Sequence, residues 1–346
     1  MSNGKHFVIG VDIGGTKVAA GLVNSAGTII RSTRRPMIVN QGPEEALAPV
    51  LEAIDDLISE VPKSSISGVG MSAPGWIDSR RGILLSAANL PCWRDFPLAS
   101  AVKASLGLET RLANDAKVAA LAEAIWGAGS SYRNVFYVSL GTGIGTGMVL
   151  DNRLYHGRTG VAGEGGHMTI DFSGPQCGCG KRGCIEMYAS GTAIAKFARK
   201  RLTESGSARS RILEIAGGDI ELVTAETVGE AALAGDPLAN AIMHQAAEYL
   251  AIWLGNLIDL LEPGIIVIGG GFGQLMREYI NHIRERLDVW GINPRRQQIP
   301  IRSALYGAES GLLGSAALCL PRTQQMMEPS DPGSSRRRPL HSMHSS

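Results

Sequence analysis

Apolar positions change their period several times along the 346 residues, and each change marks an element. FVIGVDIGGTKVAAGLVNSAGTIIRSTR (7–34) carries short apolar and β-branched runs broken by GGTK and NSAG, both turn signals, and predicts three strands. The spacing then shifts to the helical period in PEEALAPVLEAIDDLISEV (43–61). ISGVGMSAPGWID (66–78) predicts a strand with a turn, and PLASAVKASLG (97–107) a helix. In LANDAKVAALAEAIWGAG (112–129), Val118, Leu121, Ala122 and Ile125 form an apolar helical stripe behind Asn114 and Asp115.

The plan then recurs. NVFYVSLGTGIGTGMVLDNRLYHG (134–157) again predicts strand, glycine turn, strand, polar turn, strand. Long helices are expected near 187–204 and 226–262, a buried strand entering a glycine loop at 262–273, and a small-residue helix at 306–320. Strand–helix alternation of this kind indicates an α/β fold, and the repeated pattern indicates two halves built alike. Beyond Pro321, RTQQMMEPSDPGSSRRRPLHSMHSS has no periodicity and is rich in Ser, Pro and Arg, so 322–346 is expected to be a disordered tail.

Composition changes this picture little. Apolar residues are 44% and charged residues 19%, with a formal net charge of +1, which gives no electrostatic case for nucleic acid or a membrane surface. The most apolar stretch, 241–263, carries His244, Glu248 and Asp259 and is expected to be a core helix, not a membrane span. The opening residues show no apolar signal region, so a cytoplasmic protein is expected, in which disulfides are disfavoured. Cys92 and Cys319 are expected to act as small buried apolar residues, and His6, His156, His244 and His282 to lack clustered partners.

The chemistry concentrates in glycine loops. Asp12-Ile13-Gly14-Gly15-Thr16-Lys17 lies between two predicted strands; glycines there open backbone N–H groups to a phosphate, with Thr and Lys donors beside them. A plain hairpin turn fits the same residues. Gly141-Thr142-Gly143-Ile144-Gly145-Thr146-Gly147 has more glycine than a turn needs, and the pair of loops suits a nucleotide phosphate chain held from both sides. Gly269-Gly270-Gly271 ends a strand where a flat adenosine fits. Asn114 and Asp115 read equally as helix caps or as a polar pair containing a general base, with the helix end keeping Asp115 ionised. His167, Cys177, Cys179 and Cys184 offer a Cys₃His set suited to tetrahedral Zn²⁺, although a redox or disulfide reading also fits that spacing.

Together DIGGTK, APG (73–75), NLPCW (89–93), ANDA (113–116), GTGIGTG, GEGGHM (163–168), CGCGKRGCIE (177–186), IGGGF (268–272) and GAESGLLGSAA (307–317) resemble the ROK family of sugar kinases and sugar-responsive repressors, from about residue 7 to 320. The resemblance implies a two-domain actin-like/hexokinase ATPase (ribonuclease H-like) fold with a duplicated βββαβα plan. The smaller domain would comprise 1–115 with 305–321, and the larger, zinc-bearing one 116–304, hinged near 114–116 and before Tyr306. It implies transfer of a phosphoryl group from ATP, with Mg²⁺, to a hexose, foremost the 6-hydroxyl of glucose; N-acetylmannosamine, fructose and allose are the alternatives, and a sugar sensor with little turnover is a different class.

By the same resemblance Asp12, Gly14, Gly15, Thr16 and Lys17 form one phosphate loop, Gly141, Thr142 and Gly143 lie in the other, and Gly269, Gly270 and Gly271 flank adenosine. Asp115 is the expected catalytic base. Gly75, Asn114, Glu164, His167 and Glu186 would hold the sugar, and the zinc would be structural. A homodimer is expected. Family repressors carry a DNA-binding arm before the first loop, and only six residues precede the first predicted strand here, so a repressor is not expected. Lys117 and Cys92 depart from the family's usual Asn and Gly.

Overall fold

The computed structural model describes residues 6–205 and 210–320; the tail expected at 322–346 lies outside them. The first half begins with β1 (Phe7–Ile13), β2 (Lys17–Asn24) and β3 (Ile29–Pro36), the three strands that the turn signals separate. α1 (Pro43–Ile58) follows with Pro43 in its first turn, where its missing N–H costs nothing. β4 (Ile66–Ala73), α2 (Leu98–Leu106) and β8 (Thr110–Asn114) complete the half, and α3 (Asp115–Ile125) leaves it. Between β4 and α2, β5 (Trp76–Asp78), β6 (Ile83–Ser86) and β7 (Arg94–Phe96) form a small antiparallel sheet. Strands of three or four residues are too short to show an alternation, which hid β6 and β7.

In the second half β9 (Val135–Leu140), β10 (Ile144–Leu150) and β11 (Arg153–Leu154) form a meander whose last turn uses Asp151 and Asn152, both at positive φ. After a helical insertion come β12 (Ile265–Gly269) and β13 (Ile301–Ser303). The sheets run β3-β2-β1-β4-β8 and β11-β10-β9-β12-β13. With strands counted within each half, and the small sheet left out, both read 3-2-1-4-5, two antiparallel pairings followed by two parallel ones. The duplication inferred from the pattern is thus a duplication of topology.

Three expected elements differ. The helix expected near 187–204 is two, α4 (Glu186–Ala189) and α5 (Gly191–Ser205), interrupted at Ser190. After the short α6 (Arg211–Ile215), the helix expected over 226–262 is also two, α7 (Ala225–Leu233) and α8 (Pro237–Leu261). The break lies at Gly235, at φ 83°, followed by Asp236, whose carboxylate caps the Ala239 N–H, and Pro237. The loop expected after β12 turns at Gly270 (φ 86°) into a one-turn helix, α9 (Gly271–Leu275). α10 (Ile280–Trp290) and α11 (Ser310–Ala317) complete the chain. Among the described residues no helix is long and apolar enough to cross a membrane, and α8 buries Trp253, Leu254 and Ile258 as a core helix. Cys319 is fully buried and Cys92 half-buried. His244 and His282 do have partners: their rings meet edge to face at 4.9 Å, and His282 lies 3.7 Å from Glu248. Helical spacing along α8 and α10 brings them together, which separate stretches of sequence conceal.

The two sheets are joined by an exchange of helices. α3, which follows the first sheet, packs on β9 and β10 of the second, while α11, which follows the second, packs on β1 and β4 of the first. Backbone meets backbone there: a Cβ on Gly70 would lie 1.7 Å from the Ser315 carbonyl oxygen, and one on Gly314 1.9 Å from that of Val118. The fully buried Glu123 of α3 accepts hydrogen bonds from the Ala128, Leu305 and Tyr306 N–H groups, tying α3 to the return segment. Gly70→Ala is expected to cost about 1–3 kcal/mol or more, since neither backbone can yield without shifting a helix. Thermal or denaturant unfolding of the variant measures this, and an unchanged midpoint would contradict the contact.

Candidate active site

Both glycine loops are hairpin tips. Gly14 N–H donates to the Lys17 carbonyl between β1 and β2, and Gly141 N–H to the Gly143 carbonyl between β9 and β10. Gly15 packs so close to Asn89 that a Cβ would lie 2.9 Å from it. The loops face each other across a cleft of about 640 Å³, lined by Asp12, Gly14, Gly15, Asp115, Gly141, Thr142, Gly143, Glu186, Gly270 and Gly271 among others. A second cavity of about 670 Å³ shares Gly141, Thr142 and Gly271 with it and continues past Thr192, Lys196 and Arg199. Thr16 and Lys17 are exposed at the start of β2, and Gly269 is buried beneath the Tyr137 hydroxyl, so these three do not line the cleft. Tyr137, Ser139, Gln274 and Ser310 also line it, from three separate segments; only Ser310 lies within one of the family motifs, GAESGLLGSAA, with no expected role there.

Asn114 ends β8 and caps α3: its side-chain oxygen accepts the Ala116 N–H at 3.0 Å, and its amide donates to the Gly75 carbonyl at 3.2 Å. Gly75 holds φ 87°, and a Cβ there would meet the Ser86 carbonyl at 2.3 Å. Asp115 is the first residue of α3, and its carboxylate also accepts the Ala116 N–H, at 2.8 Å. The helix end does not dominate its titration. Asp115 is open to the cleft on one side, but the protein packed around the rest of it, with the negative charges of Asp12 and Glu164, outweighs the hydrogen bonds and raises its pKa from 3.8 to about 6. Burial also raises Asp12, against the Ser72 hydroxyl that donates to it at 2.7 Å and the Lys17 charge.

Glu164 lies in the loop after β11, and burial raises its pKa while His167 and Lys117 oppose. Lys117 points inward from α3, almost wholly buried, and donates to the Gly160 carbonyl. Burial lowers it to about 8, and the Glu164 charge works the other way. This departure from the family pattern therefore fastens α3 to the loop that carries Glu164. Glu186, opening α4, accepts the Ile144 N–H at 2.9 Å and so is anchored to the second glycine loop. His167 Nδ1 lies 3.9 Å from Glu186 Oε1.

The four proposed metal ligands do converge. His167 Nδ1 and the sulfurs of Cys177, Cys179 and Cys184 all lie within 4.8 Å of one another. Cys177 Sγ is 3.6 Å from Nδ1, and the Cys179 and Cys184 sulfurs are 3.7 Å apart, too far for a disulfide. Tetrahedral Zn²⁺ with ordinary bond lengths requires about 3.6 Å between nitrogen and sulfur and about 3.8 Å between sulfurs. The residues present fit zinc. Burial, with the neighbouring thiols, pushes Cys184 up to about 12.

Comparison with known proteins agrees with this geometry. The ROK family matches residues 8–322. A glucokinase of Halalkalibacterium halodurans is 33% identical, over 93% of this chain and 97% of its own length. A xylose repressor of Caldicellulosiruptor bescii is 30% identical, over 80% of this chain and 69% of its own. In three dimensions a ROK family glucokinase from Streptomyces griseus, solved in complex with glucose and AMPPNP, superposes with a TM-score of 0.78 at 33% identity, covering 90% of this chain and 98% of that one. Two glycine hairpins facing across a cleft, a carboxylate within it and a Cys₃His cluster beside it thus accompany a family match over residues 8–322, and the chain belongs to the ROK family.

Proposed function

We propose that this chain is an ATP-dependent hexokinase that phosphorylates the 6-hydroxyl of glucose. The observation that carries the reading is Asp115, held at the floor of the cleft between both glycine loops with a pKa near 6. A base poised just below neutral pH is ionised when the enzyme works, yet basic enough to take a hydroxyl proton. The loop N–H groups bind the phosphate oxygens, and the cavity past Thr192 and Lys196 holds the adenosine. Asp12 supplies a carboxylate for Mg²⁺, which neutralises phosphate charge when bound. Asn114, Glu164, Glu186, His167 and the Gly75 backbone orient the sugar. Phosphoryl transfer needs little beyond this positioning and charge neutralisation.

His167, through Nδ1, with Cys177, Cys179 and Cys184 would hold a structural Zn²⁺, which would fix the His167 ring and so leave Nε2 free for a sugar hydroxyl. The natural division is a smaller domain of 1–115 with 305–321 and a larger one of 116–304, which close over the sugar. The repressor relatives favour one other reading, a sugar sensor with little turnover.

Asp115→Asn is expected to lower turnover about 10²–10⁴-fold. A coupled ADP assay measures this, and near wild-type phosphorylation of glucose would remove Asp115 from its role. The same assay across glucose, N-acetylmannosamine, fructose and allose separates the kinase from the sensor, which would respond to none.

The pH-rate profile of kcat/KM is expected to fall on the acid side near pH 6, because protonated Asp115 accepts no proton. Since its folded pKa lies above the unfolded 3.8, the native state binds the extra proton, and this group's contribution to stability declines as pH rises from about 4 to about 6. Asp115→Asn should therefore melt higher than wild type at pH 7, and a lower midpoint would contradict the raised pKa. Cys179→Ser is expected to lose zinc and activity together; a zinc-free variant, by metal analysis, with full activity would separate the two.

A further inference from the structure

A larger cavity, of about 1090 Å³, is not the cleft described above. Its walls are residues 79–82, 99, 100, 103 and 109–112 of the first half and residues 133, 150, 151 and 153–157 of the second. β8 runs from this cavity, where Thr110, Arg111 and Leu112 line it, to the active-site cleft, where Asn114 ends the strand. The two cavities therefore lie at opposite ends of one strand.

The lining is cationic in a chain that is almost neutral. Arg80, Arg81, Lys103, Arg111, Arg133 and Arg153 face only Glu109 and Asp151, six positive charges against two negative, or +4, where the whole chain carries +1. The two carboxylates are already engaged, Glu109 by Lys103 at 2.6 Å and Asp151 by Arg133 at 3.2 Å. Among the described residues Arg80, Arg81 and Arg153 form no ion pair. The turn that carries Arg80 and Arg81 is held in shape, because Asp78 accepts both of their backbone N–H groups at 3.1 Å.

Two wall atoms, Ser79 Oγ and His156 Nδ1, are buried without a hydrogen-bond partner, and such groups call for an explanation. Burial, then the charges of Lys117 and Arg80, lower His156 to about 4, so its neutral ring adds an acceptor and a donor to a positive field. Tyr155, 44% exposed on the same wall, presents an aromatic face for the body of a ligand.

We propose that this cavity is a second binding site, for a small phosphorylated compound, whose phosphate oxygens are gripped by Arg80 and Arg81 from one half and Arg153 from the other. Guanidinium groups suit phosphate because their planar donors pair with two oxygens at once. The ligand chemistry has two sources, a sugar phosphate such as the kinase's own product or an inorganic polyphosphate, and Tyr155 has work to do only with the first.

The test is calorimetric titration of the zinc-loaded, full-length protein with its active site already filled by glucose and the Mg²⁺ complex of a non-hydrolysable ATP analogue. Glucose 6-phosphate, tripolyphosphate and inorganic phosphate are titrated separately. At least one of the first two is expected to bind once per chain. The affinity should fall at least about tenfold when Arg80→Ala and Arg153→Ala are combined. Lys200→Ala, an exposed charge elsewhere, should leave it unchanged, as should basal kcat and KM in every variant. Tighter binding of glucose 6-phosphate, weakened further by Tyr155→Ala, identifies the sugar ester; binding of tripolyphosphate alone identifies the inorganic chain. Charge-neutral Arg81→Gln with Arg153→Gln repeats the measurement if the alanine pair fails to fold. No binding by wild type, or equal binding by the arginine variants, overturns the proposal.

Discussion

The contact on which the rest of this structure depends is the seam where α3 and α11 cross between the sheets. Gly10, Gly70 and Gly314 let helix backbone approach strand and helix backbone at distances no side chain would permit. The start of each helix then falls into the cleft: Asp115 opens α3, and Gly311 of α11 lies so near Asp12 that a Cβ would be 2.7 Å from its carboxylate. Asp12, near the end of β1, and Asp115, at the start of α3, are thus placed by packing in the seam. A methyl group added tens of residues away in sequence would move Asp12 and Asp115 relative to each other.

The electrostatics of the cleft follow from that placement. Asp12, Asp115 and Glu164 are gathered in one partly desolvated region, and burial raises all three. Lys17 opposes the rise at Asp12, and Lys117 and His167 oppose it at Glu164, with Lys117 itself drawn down by burial. The phosphate side is different in kind, built from neutral backbone donors of two hairpin tips. Negative charge thus collects on one side of the cleft and backbone N–H groups on the other, the division that the proposed phosphoryl transfer would use.

Much of this was legible in the chain itself, and the reasons for success and failure are physical. Glycine hairpins show in sequence because turn chemistry is local, and so do Asn114-Asp115 and the cysteine cluster, which lie close together along the chain. The two long helices were misjudged where Gly235-Asp236-Pro237 and Ser190 interrupt an otherwise continuous apolar pattern. Asp115 stays ionised at neutral pH, as its place at a helix start implies, but its pKa is raised to about 6 by surroundings and charges that only the tertiary fold supplies. Tyr137 and Gln274 carry no signal in the sequence, since they share the cleft only after distant segments meet. The pairing of His244 with His282 was hidden for the same reason.

The exchanged helices also constrain how the molecule is made. Strand β1 starts at Phe7, but the helix that covers it, α11, is not reached until Ser310. During synthesis the first sheet therefore emerges with one apolar face bare, and it stays so until nearly all of the chain has been translated. Neither half is a self-sufficient folding unit. Contacts of such long sequence separation form slowly, and the exposed face invites association with other nascent chains in the interval. Ribosome-bound intermediates of this protein should thus be protected by chaperones late into elongation, a cost inherent in letting each half complete the other.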